Sequence, residues 1–329
     1  MDTLRVLAML TVVAIHTNFE LPTESFTTAH RAIVWVLQQC YSWAVPFFFI
    51  VSGYFFTRGW HPGSKTVRRY VIRLVSLLLV WHIIDACAPH NPLADIEEYG
   101  FIRTLYWQGR TSWNQFIDHP LAYLFRPHLW FILSLIIALC IQNVFLHLRL
   151  TWISIPITVV LIAIYAQSPS EVSDRILLGL LCVGIGSLCA LRSLSISFFA
   201  ALATVCIAAV VEILLVTAGL SLWGFPYYTC AIVFALGMFF LGLAWPNLGK
   251  DTILPRIGRL TLGVYLCHMP LIKILSAPLS FYLGQPFFVG IVVLPIVVFG
   301  GCVILVWTFT VLLGTSREKL PIARTVSVN

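Results

Sequence analysis

Arg5-Val-Leu-Ala-Met-Leu-Thr-Val-Val-Ala-Ile-His16 is almost wholly apolar, with a cation at one end and an imidazole at the other. On an α-helix, eleven steps turn the chain through about 1100°, about 20° past three full turns. Arg5 and His16 therefore share one face, about 16 Å apart along the axis. That is about half the hydrocarbon thickness of a bilayer. An ionisable group at such a depth is costly, so it normally faces a bundle interior or a wet cavity and serves a pathway or a reaction. The alternative is an arginine that snorkels from a helix end and a histidine satisfied by a neighbouring helix.

The rest of the chain sets that run in a membrane. Of 329 residues, 60% are hydrophobic and only 10% charged, and mean hydropathy is +0.94. This predicts an all-α, polytopic transmembrane bundle, because the apolar runs are long and do not alternate as barrel strands would. The nine cysteines all lie in or beside apolar runs and none forms a CxxC pair, so neither a metal site nor a disulfide frame is indicated. The net charge of +7 fits orientation in a membrane better than nucleic-acid binding, since the basic residues cluster beside spans. His16 and Asn18 interrupt the first apolar segment and no small-residue cleavage site follows. The segment therefore reads as a retained span rather than a signal peptide.

Ten spans are expected, at about 4–19, 32–57, 70–88, 128–146, 152–166, 175–191, 194–217, 227–246, 260–277 and 286–314. Arg58, Lys65, Arg68, Arg69, Arg149, Arg192, Lys250, Arg256, Arg259, Arg317, Lys319 and Arg324 fall on the side of the termini. The positive-inside rule then makes both termini cytoplasmic and the chain a multi-pass inner-membrane protein. One integral-membrane domain is expected over 1–329. Its longest connection, 89–127, lies outside and carries Tyr99, Phe101, Tyr106, Trp107, Trp113, Phe116 and Tyr123. These form either an interfacial aromatic belt or a cover over an acceptor site. Asp85 and Lys273 lie nearer span ends and read as interfacial.

Five patches carry chemistry: Asp2 with Arg5 and His16; Val45-Pro46-Phe47-Phe48-Phe49-Ile50-Val51-Ser52-Gly53-Tyr54; Arg68-Arg69-Tyr70-Val71-Ile72-Arg73; His128-Leu129-Trp130-Phe131; and Thr261-Leu262-Gly263-Val264-Tyr265-Leu266-Cys267-His268. In this order they resemble the membrane-bound acyltransferase 3 family over nearly the whole chain. The resemblance implies an acyl-CoA donor on the cytoplasmic side, with acetyl-CoA as co-substrate and no permanently bound cofactor. It implies an extracytoplasmic carbohydrate or lipid-linked sugar as acceptor. It also implies that Arg5 and His16 are essential, that span-three cations (Arg68, Arg69, Arg73) meet the donor's phosphates, and that Asp2, Ser52, Trp130, Tyr265 and His268 support the site. The family often spaces two span-three cations three apart. Arg69 and Arg73 are four apart, which still shares a helix face.

The residues support this chemistry independently. Arginine binds phosphate bidentately, and coenzyme A carries several phosphates. Transfer to a hydroxyl needs a base, and histidine with an ordinary pKa near 6.5 suits the task. Direct transfer and an acyl-imidazole route remain equally open. Ser52 beside Gly53 reads as a hydroxyl contact or as a small residue at a helix crossing. Glu212, alone in an apolar run, is a functional or a paired structural carboxylate. The rival class is a proton-coupled secondary transporter relaying through His16, Glu212 and His268. Such folds often show inverted repeats, and none is visible here.

Overall fold

The computed structural model describes residues 1–19, 41–62, 65–87, 92–125, 129–165, 170–194, 196–217, 225–283 and 289–312, with single positions between 26 and 38. Among the described residues the chain is helical throughout, without a strand. In chain order the helices are α1 (Asp2–Phe19), α2 (Ala44–Arg58), α3 (Lys65–Cys87), α4 (Pro92–Tyr99), α5 (Phe101–Asp118), α6 (Pro120–Leu124), α7 (Trp130–His147), α8 (Ser154–Tyr165), α9 (Glu171–Leu191), α10 (Phe198–Thr217), α11 (Phe225–Ala244), α12 (Leu254–Gly258), α13 (Thr261–Leu283) and α14 (Leu294–Leu312). A π-helical turn, Val289–Val293, leads into α14. A described helix accompanies each expected span, although most of 32–40 lies outside the described residues. Among the described residues, five segments are long and apolar enough to cross a bilayer by themselves: Val67–Cys87, Trp130–His147, Val172–Leu191, Phe198–Leu215 and Ile291–Leu312. Four shorter apolar helices stand beside them, including Ala44–Arg58 and Thr261–Leu275. This is a multi-pass membrane protein.

Proline placement explains several helix starts. Pro92 opens α4, Pro120 opens α6 and Pro46 sits in the first turn of α2. There the missing N–H has no intrahelical acceptor to lose. The outer surface is as apolar as the interior. Ile83 on α3, Phe199, Ile207 and Leu214 on α10, and Ile304, Trp307 and Phe309 on α14 are exposed, as helices bathed in lipid require. The core holds Phe47, Phe49, Phe239, Met9, Ile132 and Leu139.

Two close approaches fix the frame. Among the described residues, α2 and α9 pack most extensively of the helix pairs. A Cβ added at Gly186 would lie 2.0 Å from the Ile50 carbonyl oxygen, and one at Gly53 would lie 2.3 Å from that of Val183. Backbone meets backbone, the small-residue contact that drives helix association in lipid. At the other approach, α12 lies against the first turn of α1. A Cβ at Gly258 would be 2.4 Å from the Asp2 carbonyl oxygen, and the Thr3 hydroxyl donates to the Leu248 carbonyl at 2.6 Å. α1 is thus held by α2, α12, α13 and α14. The connection between α3 and α7 folds as α4, α5 and α6, with the Ser112 hydroxyl pinning α5 to the Ala86 carbonyl at 3.1 Å.

Candidate active site

The start of α1 is polar. Arg5 Nη1 pairs with Asp2 Oδ1 at 3.0 Å, and the Arg5 side chain is 27% exposed. Its guanidinium lies 5.4 Å from the Phe55 ring centre, beside the end of α2. The Tyr70 phenol of α3 is within electrostatic range of both Arg5 and Arg73. Arg68, Arg69 and Arg73 are all exposed on α3, free of the desolvation that a buried cation would suffer. Asp2 also lines a cavity of about 470 Å³ with Lys250, Asp251, Thr252, Pro255, Arg256 and Arg259. Sequence reading took Lys250, Arg256 and Arg259 only as orientation signals. The tight fit of α12 on α1 is what brings them to Asp2.

Three turns further on, His16 is half-buried and its ring centre lies 5.0 Å from that of His268 on α13, tilted by 49°. His268 is fully buried, and its Nδ1 bonds to the Tyr265 carbonyl of its own helix. A carbonyl only accepts, so Nδ1 carries the proton and Nε2 of the neutral ring carries the lone pair. Tyr265 is buried, with its ring 5.5 Å from His268 and 5.4 Å from Phe131. Its hydroxyl bonds to the Phe131 backbone in the first turn of α7, where helix N–H groups need partners.

Trp130 begins α7, and Arg175 of α9 lies 5.3 Å from its ring centre. Arg175 Nη1 donates to the Phe125 carbonyl at 2.8 Å. Arg175 thereby ties α9, α7 and the end of the α4–α6 cover together. Sequence reading gave it no role, and nothing in a single arginine beside a span end would have revealed this one. Ser52 is half-buried on α2, next to Gly53 at the α9 crossing. His128 lies outside the described residues. Glu212 is buried on α10 and accepts a hydrogen bond from the Ser42 hydroxyl at 3.3 Å.

Asp85 and Lys273, read as lying near span ends, turn to one another: Asp85 is 6% and Lys273 17% exposed at the side chain, and they face each other at 4.0 Å between α3 and α13. A charge inside the bundle needs an opposite charge close by, and each supplies the other's.

The structure therefore brings Asp2 to Arg5, and His16 to His268 and Tyr265. It places Tyr70 of α3 within electrostatic range of both Arg5 and Arg73, and Trp130 beside Tyr265 through Phe131. The acyltransferase 3 family model, described as an acyltransferase domain, matches residues 1–311. The chain belongs to the acyltransferase 3 family. No curated protein and no solved structure matches it. The matched region runs from Met1, just ahead of the Asp2–Arg5–His16 patch, through almost all of α14. This membrane acyltransferase accordingly carries within the family domain every residue described above.

Proposed function

We propose that this acyltransferase moves an acetyl or similar short acyl group from cytoplasmic acyl-CoA to a sugar hydroxyl of an extracytoplasmic cell-envelope glycan or its lipid-linked precursor. In this reading ten helices cross the inner membrane and both termini are cytoplasmic. The observation that carries it is α1 itself. Arg5 stands at the cation-rich end, paired with Asp2 and within electrostatic range of Tyr70 on the arginine-bearing end of α3, and His16 stands about 16 Å along the same face against His268. That distance matches the reach of a pantetheine arm. Arg68, Arg69 and Arg73 hold the phosphates, the arm runs along α1, and His16 meets the thioester carbonyl.

His16 takes the proton of the acceptor hydroxyl as its oxygen attacks the carbonyl carbon. The C–S bond then breaks, and the proton passes to the leaving thiolate of CoA. The acyl-imidazole alternative divides the same bond changes into two steps. Acetyl rather than a longer chain is favoured by likeness within the family. The Val45–Tyr54 and His128–Phe131 stretches most resemble those of the enterobacterial common antigen O-acetyltransferase.

Donor binding tests the phosphate end. A hydrogen bond to a charged group is worth about 1.5–3 kcal/mol. Arg69→Ala and Arg73→Ala should therefore each weaken acetyl-CoA binding about ten- to a hundredfold by calorimetry in detergent, with Arg192→Ala, exposed at the end of α9, as the neutral control. Equal affinity in all three variants removes the α3 arginines from the donor site. Mass spectrometry of envelope glycans from cells with and without the gene tests the acceptor class. Loss of an acetyl mark from a glycan is expected, and unchanged glycans reject it.

A further inference from the structure

α3 turns most of its length to lipid and buries one stripe, Leu74, Leu78, His82 and Asp85. The half nearer the arginines is apolar and the other half is ionisable. Packing alone would be served by leucine at all four positions. Burying a histidine and a carboxylate inside a bundle is costly and marks a functional site. The partner across from Asp85 is Lys273.

His82 is 8% exposed, and its Nδ1 donates to the Leu78 carbonyl of its own helix at 2.9 Å. The neutral ring therefore presents the lone pair of Nε2 away from α3. Nε2 is buried and has no hydrogen-bond partner among the described residues. The His82 ring lies beside the cover that α5 and α6 form at the end of α3. There the Tyr123 ring centre is 5.9 Å from the His82 ring, and Phe116 lies 5.5 Å from Tyr123.

Helix rise relates this cluster to the reacting pair. Arg256 and Arg259 stand beside Asp2 at the start of α1, and His268 follows them along α13 against His16. His16 is about 16 Å beyond Arg5, and His82 about 18 Å beyond Tyr70. Asp85 lies about 4.5 Å beyond His82, and Lys273 about 7.5 Å beyond His268. The Asp85–Lys273 pair thus stands one layer past the His16–His268 pair, on the side away from the donor cations.

We propose that His82, Asp85 and Lys273, roofed by Tyr123 and Phe116, form the subsite that holds a hydroxyl-rich, uncharged acceptor, a hexose or related pyranose, next to His16. The proposal rests on the acyl-transfer reading above and names where its acceptor sits. Two acceptors (Nε2 of His82 and the Asp85 carboxylate) and one donor (the Lys273 ammonium) suit neighbouring hydroxyls. The carboxylate balances the ammonium, so the cluster offers no net charge to an anion. An aromatic wall suits the C–H face of a sugar ring.

The test is nuclear magnetic resonance on the full chain in lipid nanodiscs, with isotope-labelled histidine rings and methyl β-glucopyranoside as the probe. The His82 signal, identified by its loss in His82→Gln, should shift with the glycoside and stay in place with inorganic phosphate. Asp85→Asn should weaken the glycoside about tenfold, as loss of one hydrogen bond to a charged group predicts. No glycoside-dependent shift, or an equal shift with phosphate, overturns the subsite. Acetyl transfer from labelled acetyl-CoA to the envelope glycan separates the two readings. Glycoside binding at His82 without transfer overturns the acyl-transfer reading and leaves the subsite standing. An active His82→Gln protein with unchanged KM for the acceptor overturns the subsite and leaves the transfer reading standing.

Discussion

His16→Ala is expected to abolish acyl transfer while the protein still inserts, accumulates and binds acetyl-CoA. A positioned general base contributes about a hundred- to ten-thousandfold to a rate, and a nucleophilic imidazole at least as much. Among the described histidines, His16 has the position for this. It is half-buried rather than sealed, it shares the Arg5 face of α1, and it packs against a second imidazole. His268 is fully buried with Nδ1 tied to its own helix, so it acts on the substrate through His16. His268→Ala should therefore slow transfer less than His16→Ala does. Labelled-acetyl transfer, normalised to monodisperse protein by size-exclusion chromatography, measures both. A well-expressed His16→Ala protein that keeps most of its activity sinks the assignment, and a larger loss in His268→Ala reverses the two roles.

Gly186→Ala should prevent the folded bundle from accumulating. The new methyl would sit 2.0 Å from the Ile50 carbonyl oxygen and 2.9 Å from the Tyr54 nitrogen. Both are backbone atoms, so no side chain can rotate away, and α2 and α9 must move apart by about 1 Å or more. Separation loses the close packing that holds helices together where lipid offers no hydrophobic drive. It also displaces Phe49, whose ring stands 4.6 Å from Phe131 at the base of the Tyr265 cluster. The expected cost exceeds about 4 kcal/mol, the range of severe core overpacking. Gly109→Ala and Gly300→Ala, where an added Cβ meets nothing within 4 Å, should be neutral or slightly stabilising because alanine favours helix. Thermal challenge followed by size-exclusion chromatography reads all three. A Gly186→Ala protein as heat-resistant as the parent contradicts the described α2–α9 crossing.

Much of this molecule is readable along a single strand of text. The apolar runs mark the helices, because every backbone group in lipid must be satisfied within its own segment. Helix periodicity alone sets Arg5 and His16 on one face of α1, and the order of five short patches points to the acyltransferase 3 family. Which helix each face meets is a different matter. In a soluble protein the apolar stripe announces the buried side, but here Leu79, Val80 and Ile83 face outward while His82 and Asp85 face inward. Hydrophobic periodicity therefore carries no inside–outside signal on α3. The pairing of His16 with His268 spans 252 positions of sequence, and that of Asp85 with Lys273 spans 188. Such contacts depend on crossings like Gly53–Val183 and Gly258–Asp2, where missing side chains let two backbones touch. Only the tertiary structure decides those, because lipid-facing and protein-facing surfaces are built from the same apolar residues and shape, not polarity, selects the neighbour.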